Sequence, residues 1–222
     1  MKVGTVTIGQ SPRVDIVPEM VGTWGSQVEV LERGALDGLT RAEIESFAPA
    51  AGDYTLVTRL ADGSSVTIAK RFVQPRVHAA LRELDALGTD CLILLCTGDF
   101  PAVETRAPLV KPDLVLHRTV SALVEGKKVG LMTPSPLQVE QAANKWSHLP
   151  ARLRVVAANP YTGFGDELSS AAGALREWRA EVMVMDCMGY TGSMKKLVQE
   201  SLGIPVILAR TLVARVVGEL LS

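Results

Sequence analysis

An internal repeat in the sequence limits the folds that the chain can adopt. Three pairs of similar segments occur in the same order in the two halves of the 222-residue chain. The pairs are KVGTVTIGQSPR (2–13) with KVGLMTPSPLQ (128–138), ALRELDALGTDCLILLCTG (80–98) with ALREWRAEVMVMDCMG (174–189), and LVLHRTVSAL (114–123) with VILARTLVAR (206–215). One short match would be chance, but an ordered triplet indicates a duplicated unit.

Apolar runs of strand length alternate with helical patterns along the chain. Between two such runs, PRVHAALRELDALG places Val77, Leu81 and Leu84 at helical spacing, with Pro75 near the start and Gly88 at the end. This alternation predicts parallel strands joined by helical crossovers. Strands are predicted at 3–8, 28–31, 91–95, 114–116, 129–132, 153–157, 182–185 and 205–208.

The predicted fold class is α/β, with two pseudo-symmetric lobes that arise from a duplicated parallel α/β unit. We expect residues 1–126 and 210–222 to form the first lobe and residues 127–209 the second. Residues 54–70, YTLVTRLADGSSVTIAK, alternate in polarity around Ala-Asp-Gly-Ser, which predicts a β-hairpin insertion in the first half. The apolar terminal stretch LVARVVGELL is expected to pack either in the core or across a homodimer.

Charge and composition exclude several classes of partner. The 23 basic and 24 acidic residues give a net charge of −1, and aromatic residues make up only 5% of the chain. We therefore expect no nucleic-acid partner and no anionic membrane partner, and favour a small-molecule ligand. The apolar run at the N-terminus is shorter than a signal-peptide core or a membrane span, so a cytoplasmic location is predicted.

Two of the three cysteines end apolar strands. Cys91 lies inside the run CLILL and is expected to pack as a small buried thiol. Cys96 in LILLCTGDF and Cys187 in MVMDCMGYT each precede a glycine turn. Because ligands of parallel α/β sheets bind beyond the carboxyl ends of the strands, the repeat predicts that these two thiols belong to one site. The alternative is two buried thiols that only pack.

Paired cysteines of this kind suit proton transfer at carbon. A thiol has an ordinary pKa near ~8.5, which polar surroundings or a helix N-terminus can lower enough to give a thiolate base. One thiolate would take a proton from an acidic carbon while the opposite thiol returns one to the other face. Both cysteine segments are interpreted as strand-to-helix turns, and the chemistry requires no cofactor.

Residues around these turns are candidates for substrate binding. Ser11 and Ser135 occupy equivalent loops, and Arg13 could bind a carboxylate with two hydrogen bonds. Proline-shaped turns and a surface ion pair are the alternative for these loops. The remaining candidates follow the two cysteines, with helix capping as the alternative for the last of them: Thr97, Gly98, Gly189, Tyr190 and Thr191.

Metal and nucleotide sites are disfavoured by the sequence. His117 and His148 have no Cys or His partner at ligand spacing. Gly163-Phe164-Gly165 lacks both a third spaced glycine and a P-loop lysine. The preceding Asn159-Pro160-Tyr161 is interpreted as a loop that lines the cleft.

The sequence resembles the AroM family, which is itself similar to the aspartate/glutamate racemase superfamily. The resemblance covers nearly the whole chain, and these segments carry it: TIGQSPRVDIVPEM, RGALDGLTRAEIESFAPAAGDYTLVTRL, LMTPSPLQVEQAANKW, MDCMGYT and GIPVILARTLVARVVGELL. It implies a two-lobed α/β fold without metal or pyridoxal phosphate. It also implies that Cys96 and Cys187 abstract and return the proton.

The substrate and the reaction stay open at this stage. Cys96-Thr97-Gly98 departs from the Cys-Asn-Thr of amino-acid racemases and is closer to hydantoin-type relatives. We expect a cofactor-independent racemase or isomerase of a small carboxylate. The alternatives are a one-cysteine decarboxylase or isomerase, and a regulatory protein linked to aromatic amino-acid metabolism that binds a carboxylate without turnover.

Overall fold

The chain forms two compact units. A computed structural model describes residues 1–25, 27–162 and 165–222. Residues 1–113 and 213–222 form the first unit, and residues 114–212 form the second. The chain passes from one unit to the other within two helices, α4 (Pro112–Ser121) and α8 (Ala209–Leu221).

The first unit is built on a parallel four-stranded sheet of order β2-β1-β5-β6. Its central strands, β1 and β5, are almost wholly buried, as expected for strands of a parallel sheet. The strands are β1 (Lys2–Thr7), β2 (Glu29–Gly34), β5 (Cys91–Leu94) and β6 (Leu109–Val110), and the helices are α1 (Val17–Val21), α2 (Arg41–Glu45) and α3 (Lys70–Ala86).

The predicted hairpin is confirmed in the first unit. Strand β3 (Thr55–Arg59) pairs antiparallel with β4 (Ser65–Ala69), and α3 follows β4 without a linker. Helix α3 therefore begins at Lys70, so Pro75 lies inside the helix rather than near its start. The reason is tertiary: the amide of Lys70 donates to the carbonyl of Tyr54 at 2.9 Å, so the end of the hairpin fixes the first helical residue.

The second unit repeats the parallel arrangement. Its sheet has the order β10-β9-β7-β8, with every neighbouring pair parallel. The strands are β7 (Lys128–Thr133), β8 (Arg152–Ala157), β9 (Val182–Met185) and β10 (Val206–Leu208), and the helices are α5 (Val139–Lys145), α6 (Asp166–Glu177) and α7 (Gly192–Leu202). A 3-10 turn at Pro136–Gln138 precedes α5.

The two sheets match strand for strand, which confirms the predicted duplication. Strands β1, β2, β5 and β6 correspond to β7, β8, β9 and β10 in both order and direction. Equivalent pairs also share their register, because Val6 pairs with Leu94 and Met132 pairs with Met185.

The third pair of similar segments, 114–123 and 206–215, is not equivalent in the structure as predicted. Residues 114–116, predicted as a strand, lie in α4, and the strand equivalent to β10 is β6 (Leu109–Val110). Leu116 and Val120 are fully buried while Leu114 is 43% exposed, which is a helical pattern. Pro112 at the first helical position supports this helix start.

The apolar terminal helix packs within this chain. Val213, Ala214 and Val217 of α8 are buried, and Trp24 Nε1 donates to the carbonyl of Ala214 at 2.8 Å. The core therefore accounts for this apolar face, and a homodimer stays a prediction. In the part of the chain that the structure describes, no helix is both long and apolar enough to cross a membrane.

Candidate active site

Cys96 and Cys187 occupy the same position in their respective units. Each lies two residues beyond the end of a central strand, β5 for Cys96 and β9 for Cys187. The residue before each cysteine makes the same backbone hydrogen bond. The amide of Leu95 donates to the carbonyl of Val6 at 2.7 Å, and the amide of Asp186 donates to the carbonyl of Met132 at 2.9 Å. In each unit the thiol therefore lies at the carboxyl edge of a parallel sheet, where such sheets bind ligands.

Both sulfurs accept a hydrogen bond from the amide two residues later. The amide of Gly98 donates to Cys96 Sγ at 3.2 Å, and the amide of Gly189 donates to Cys187 Sγ at 3.3 Å. Each cysteine is 9% exposed. A hydrogen bond from an amide stabilises the charged form of its acceptor, so both turns are suited to hold a thiolate.

The segment after Cys96 is not the predicted strand-to-helix turn. Residues 97–108 contain neither helix nor strand. Two lysines hold this segment: Lys70 Nζ donates to the carbonyl of Asp99 at 2.9 Å, and Lys111 Nζ donates to the carbonyl of Phe100 at 2.5 Å. Thr97 and Gly98 are buried beside the thiol.

The segment after Cys187 is a strand-to-helix turn, as predicted. Thr191 is the N-cap of α7, and its hydroxyl accepts from the amide of Met194 at 3.2 Å. Tyr190 is fully buried and donates to the carbonyl of Ala158 at 2.6 Å. Burial, with a further contribution from the charges of Cys187 and Asp186, holds the pKa of Tyr190 well above its ordinary value. These contacts give both side chains a structural role in the turn.

A buried arginine that the sequence analysis did not select holds the Cys187 turn. Arg210, at the start of α8, is 1% exposed. It donates from Nε to the carbonyl of Met188 at 2.9 Å and from Nη2 to the carbonyl of Gly189 at 3.1 Å. A charged residue within the mostly apolar run VILARTLV is the signal in the sequence that indicates this site.

Asp186, next to Cys187, is the buried end of a network of polar and stacking contacts that extends to the surface. Its Oδ2 accepts from Lys145 Nζ at 2.6 Å and from Trp146 Nε1 at 2.8 Å. The ring of Trp146 stacks on His117 with centroids 3.8 Å apart, and His117 shares a hydrogen bond with His148 at 3.1 Å. The two histidines thus belong to this network. Among the described residues, no group of three His, Cys, Asp or Glu side chains could hold a metal ion.

In the first unit, acidic side chains bind the predicted ligand residues. Ser11 donates to Asp37 Oδ2 at 2.6 Å. Arg13 is 2% exposed and makes two 2.8 Å hydrogen bonds to Asp15, while its Nη1 donates to Thr7 at 2.8 Å. The carboxylate that Arg13 was predicted to bind is therefore supplied, in this structure, by the protein itself.

In the second unit, Ser135 lines a cavity of about 550 Å³ at the ends of β7 and β8. Its Oγ accepts from the amide of Leu137 at 3.3 Å, which starts the 3-10 turn. Asn159 lines the same cavity, while Tyr161 lies against Gly189. The segment 159–161 therefore reaches both the cavity and the Cys187 turn. Of the motif Gly163-Phe164-Gly165, the first two residues lie outside the described residues.

Comparison with known proteins identifies relatives in sequence and in fold. The family model described as AroM protein matches residues 3–221. No curated protein matches the chain.

Several solved structures share this fold. Glutamate racemase from Aquifex pyrophilus is 14% identical, with a TM-score of 0.60 over 99% of this chain and 83% of that one. Allantoin racemase from Klebsiella pneumoniae is 13% identical, with a TM-score of 0.62 over 99% and 87%. An arylmalonate decarboxylase is 13% identical, with a TM-score of 0.62 over 100% and 93%. At these identities the likeness establishes the fold.

Proposed function

We propose that this chain, which belongs to the AroM family, is a cofactor-independent racemase or isomerase of a small carboxylate. Cys96 and Cys187 are the proton-transfer pair. The solved structures of the same fold include proteins named as glutamate racemase and allantoin racemase. Their names are consistent with chemistry at an acidic carbon next to a carbonyl group.

The duplicated position of the two thiols carries this proposal. Each cysteine follows the central strand of a parallel sheet by two residues, and each sulfur accepts from a glycine amide at 3.2 or 3.3 Å. Two residues that only pack would not need the same amide contact. A repeated contact that favours a thiolate supports a repeated chemical role.

The reaction exchanges protons and leaves the pair with reversed roles. One thiolate takes the proton of the substrate C–H bond, and the electron pair of that bond is delocalised into the adjacent carboxylate. The opposite thiol then gives its proton to the other face of the carbon and becomes the thiolate. No electrons are lost or gained, and the product is the mirror-image substrate when the carbon is a stereocentre.

Ser135 is a proposed contact for the substrate carboxylate. It lines the cavity of about 550 Å³, and its oxygen accepts from Leu137. In the described residues its hydroxyl proton has no hydrogen-bond acceptor within the protein, so it can donate to a ligand. In the equivalent loop, Ser11 already donates to Asp37. Ser135 is accordingly the stronger binding candidate of the two serines.

A decarboxylase is the second candidate function. The two cysteine segments differ, because a helix follows Cys187 whereas residues 97–108 are irregular. One of the solved structures with this fold is named arylmalonate decarboxylase. In such a reaction the bond between the α-carbon and one carboxylate breaks, its electron pair stays on the α-carbon, and carbon dioxide leaves. A single thiol then protonates the resulting carbanion. Only one cysteine would then be required.

Isotope exchange tests both candidates. We expect the wild-type protein in deuterium oxide to exchange the α-hydrogen of at least one small carboxylate, measured by nuclear magnetic resonance over a panel of chiral acids and substituted malonates. The Cys96→Ser/Cys187→Ser variant should lose exchange, whereas Cys91→Ala, which removes a buried strand thiol, should keep it. Undiminished exchange by the double variant, or ligand-induced thermal stabilisation without exchange anywhere in the panel, would overturn the proposal.

A further inference from the structure

Arg210 is a charged residue in the buried interior of the second unit. Its side chain is almost completely buried, and a guanidinium remains charged at every pH at which proteins fold. Burying a charge is strongly unfavourable unless hydrogen bonds compensate for the lost hydration. Arg210 is the second residue of α8 and comes two residues after the end of strand β10, at a position where an apolar residue would pack at lower cost.

The contacts of Arg210 lead to the sulfur of Cys187. Arg210 Nε donates to the carbonyl oxygen of Met188 at 2.9 Å. This carbonyl belongs to the same peptide group as the amide of Gly189, and that amide donates to Cys187 Sγ at 3.3 Å. One planar peptide group thus has a cation at its oxygen and a thiol at its N–H. Another hydrogen bond of Arg210, from Nη2 to the carbonyl of Gly189, fixes the next peptide group in the turn.

A cation at the oxygen of a peptide group strengthens the hydrogen bond made by its N–H. Each peptide group carries a dipole of about 3.5 D, whose positive end is the N–H. Linked hydrogen bonds polarise one another in the protein interior, where screening by water is weak. The negative form of the acceptor gains most from this, so the arrangement favours the thiolate over the thiol.

We infer that Arg210 is a positioning residue that stabilises the thiolate of Cys187 through the Met188–Gly189 peptide group. The inference deepens the proposed function, on which it rests for its purpose, and makes Cys187 the resting base. The loop after Cys96 is built differently. Lys70 and Lys111 donate there to the carbonyls of Asp99 and Phe100, which lie in peptide groups after the one whose amide meets Cys96.

Further charged and titratable groups lie around the Cys187 turn. The negative charge of Asp186 would disfavour a thiolate at Cys187, but this carboxylate forms an ion pair with Lys145 of α5 at 2.6 Å. Tyr190 and Tyr161 are phenols, which are neutral in the physiological range, and Glu167 of α6 accepts from the amide of Asn159 at 2.9 Å. Arg210 differs from these groups because it acts on the peptide that holds the sulfur.

Single-cysteine proteins test the inference. In the Cys91→Ala/Cys96→Ala background, only Cys187 titrates as a thiol, and its thiolate is followed by ultraviolet absorbance against pH. Adding Arg210→Gln keeps hydrogen-bond donors but removes the charge. We expect the ratio of thiolate to thiol at a given pH to fall about tenfold, which is a rise of one pH unit in the titration midpoint. Arg210→Lys keeps the charge but not the two-armed contact, and should cause a smaller fall.

The other thiol supplies the control. In the Cys91→Ala/Cys187→Ala background, Arg210→Gln should leave the titration of Cys96 unchanged. An unchanged titration of Cys187 in the folded glutamine variant would overturn the inference, as would an equal shift of both thiols. If the glutamine variant does not fold, the lysine variant decides by the same comparison. If Arg210→Gln lowers the thiolate of Cys187 but the wild-type protein exchanges hydrogen on no substrate, the proposed function is rejected and this inference stands.

Discussion

The amide of Gly189 donates to the sulfur of Cys187 at 3.3 Å, and the glycine makes this close turn possible. A Cβ at position 189 would overlap the ring of Tyr161 and lie 2.9 Å from Pro160 Cγ. The turn, the tyrosine and the thiol are thus fitted to one another without space for a side chain. In the first unit, a Cβ at Gly98 would lie 3.0 Å from Leu56 Cδ2, so that turn is also crowded.

Substitution of Gly189 by alanine should impair catalysis more than folding. The new methyl group must displace either Tyr161 or the turn, and a misplaced catalytic group can cost on the order of a hundredfold in rate. The rate of α-hydrogen exchange and the free energy of unfolding in urea are both measured. Gly173→Ala is the matched control, because nothing lies within 4 Å of its Cβ. In helix α6 it should stabilise the protein by about 0.5–1 kcal/mol and leave exchange intact. Equal loss of exchange in both variants would contradict this.

The Arg13–Asp15 pair should make the free energy of unfolding depend on pH in the acid range. Burial raises the pKa of Asp15, but the hydrogen bond and charge of Arg13, together with the charge of Arg59, outweigh it and hold the pKa below its ordinary value. This stabilisation is present above the unfolded pKa of about 3.9 and is lost as the pH falls through the lowered folded value.

Asp15→Asn should therefore lower the free energy of unfolding by about 2 kcal/mol at neutral pH, because the buried Arg13 loses its charged partner, although Asp15 itself is partly exposed. The difference from wild type should begin to shrink below pH about 4, where the carboxyl group of the unfolded chain takes up a proton, and should vanish once the folded state is protonated as well. Glu45→Gln removes the partner of an exposed pair with Arg41, which solvent screens, and should leave the free energy of unfolding almost unchanged. A pH-independent difference at position 15 would argue against the charge pair.

The hydrogen bond from Trp146 to Asp186 should contribute measurably to stability. Trp146→Phe removes the donor at 2.8 Å and leaves a small void in a fully buried site, so we expect a loss of about 2–3 kcal/mol in urea unfolding. Trp178→Phe, at the partly exposed end of α6, should cost less than about 1 kcal/mol. Similar losses for the two variants would indicate that ring volume alone matters.

Cys91 should be inert at neutral pH. Burial, and secondarily the charge of Asp90, raises the pKa of this thiol to about 11. Brief alkylation of the native protein at pH 7, followed by peptide mass spectrometry, should leave Cys91 unmodified, whereas denaturation should expose all three thiols. Rapid labelling of Cys91 in the native protein would contradict its assignment as a packing residue.

The sequence was sufficient for the repeat but not for its last element. The pattern at 2–13 and 128–138 predicted β1 and β7, and the two cysteine segments predicted equivalent strand ends. The runs LVL at 114–116 and VIL at 206–208 are both short and aliphatic. Only packing distinguishes them: Leu116 and Val120 turn inward with a helical period, whereas β10 pairs with β9. Short apolar runs do not carry that information.

The site was predicted less completely, because its supporting contacts are distant in sequence. Cys96 and Cys187 were visible from composition and spacing, but Arg210 reaches the Cys187 turn from 21 residues away. Ser11 was likewise chosen without its partner, Asp37, which is 26 residues further along the chain. Side-chain contacts of this kind depend on how the strands are ordered in the sheet, and the sequence of one chain does not specify them.

Isotope exchange measured separately for each enantiomer of one substrate tests the two-cysteine mechanism most directly. If each thiol serves one face, Cys96→Ser and Cys187→Ser should each lose racemisation, and each should retain exchange with one enantiomer only, opposite for the two variants. Cys91→Ala should behave as wild type. Racemisation at the wild-type rate by either variant, or exchange of both enantiomers by one thiol alone, would contradict the account.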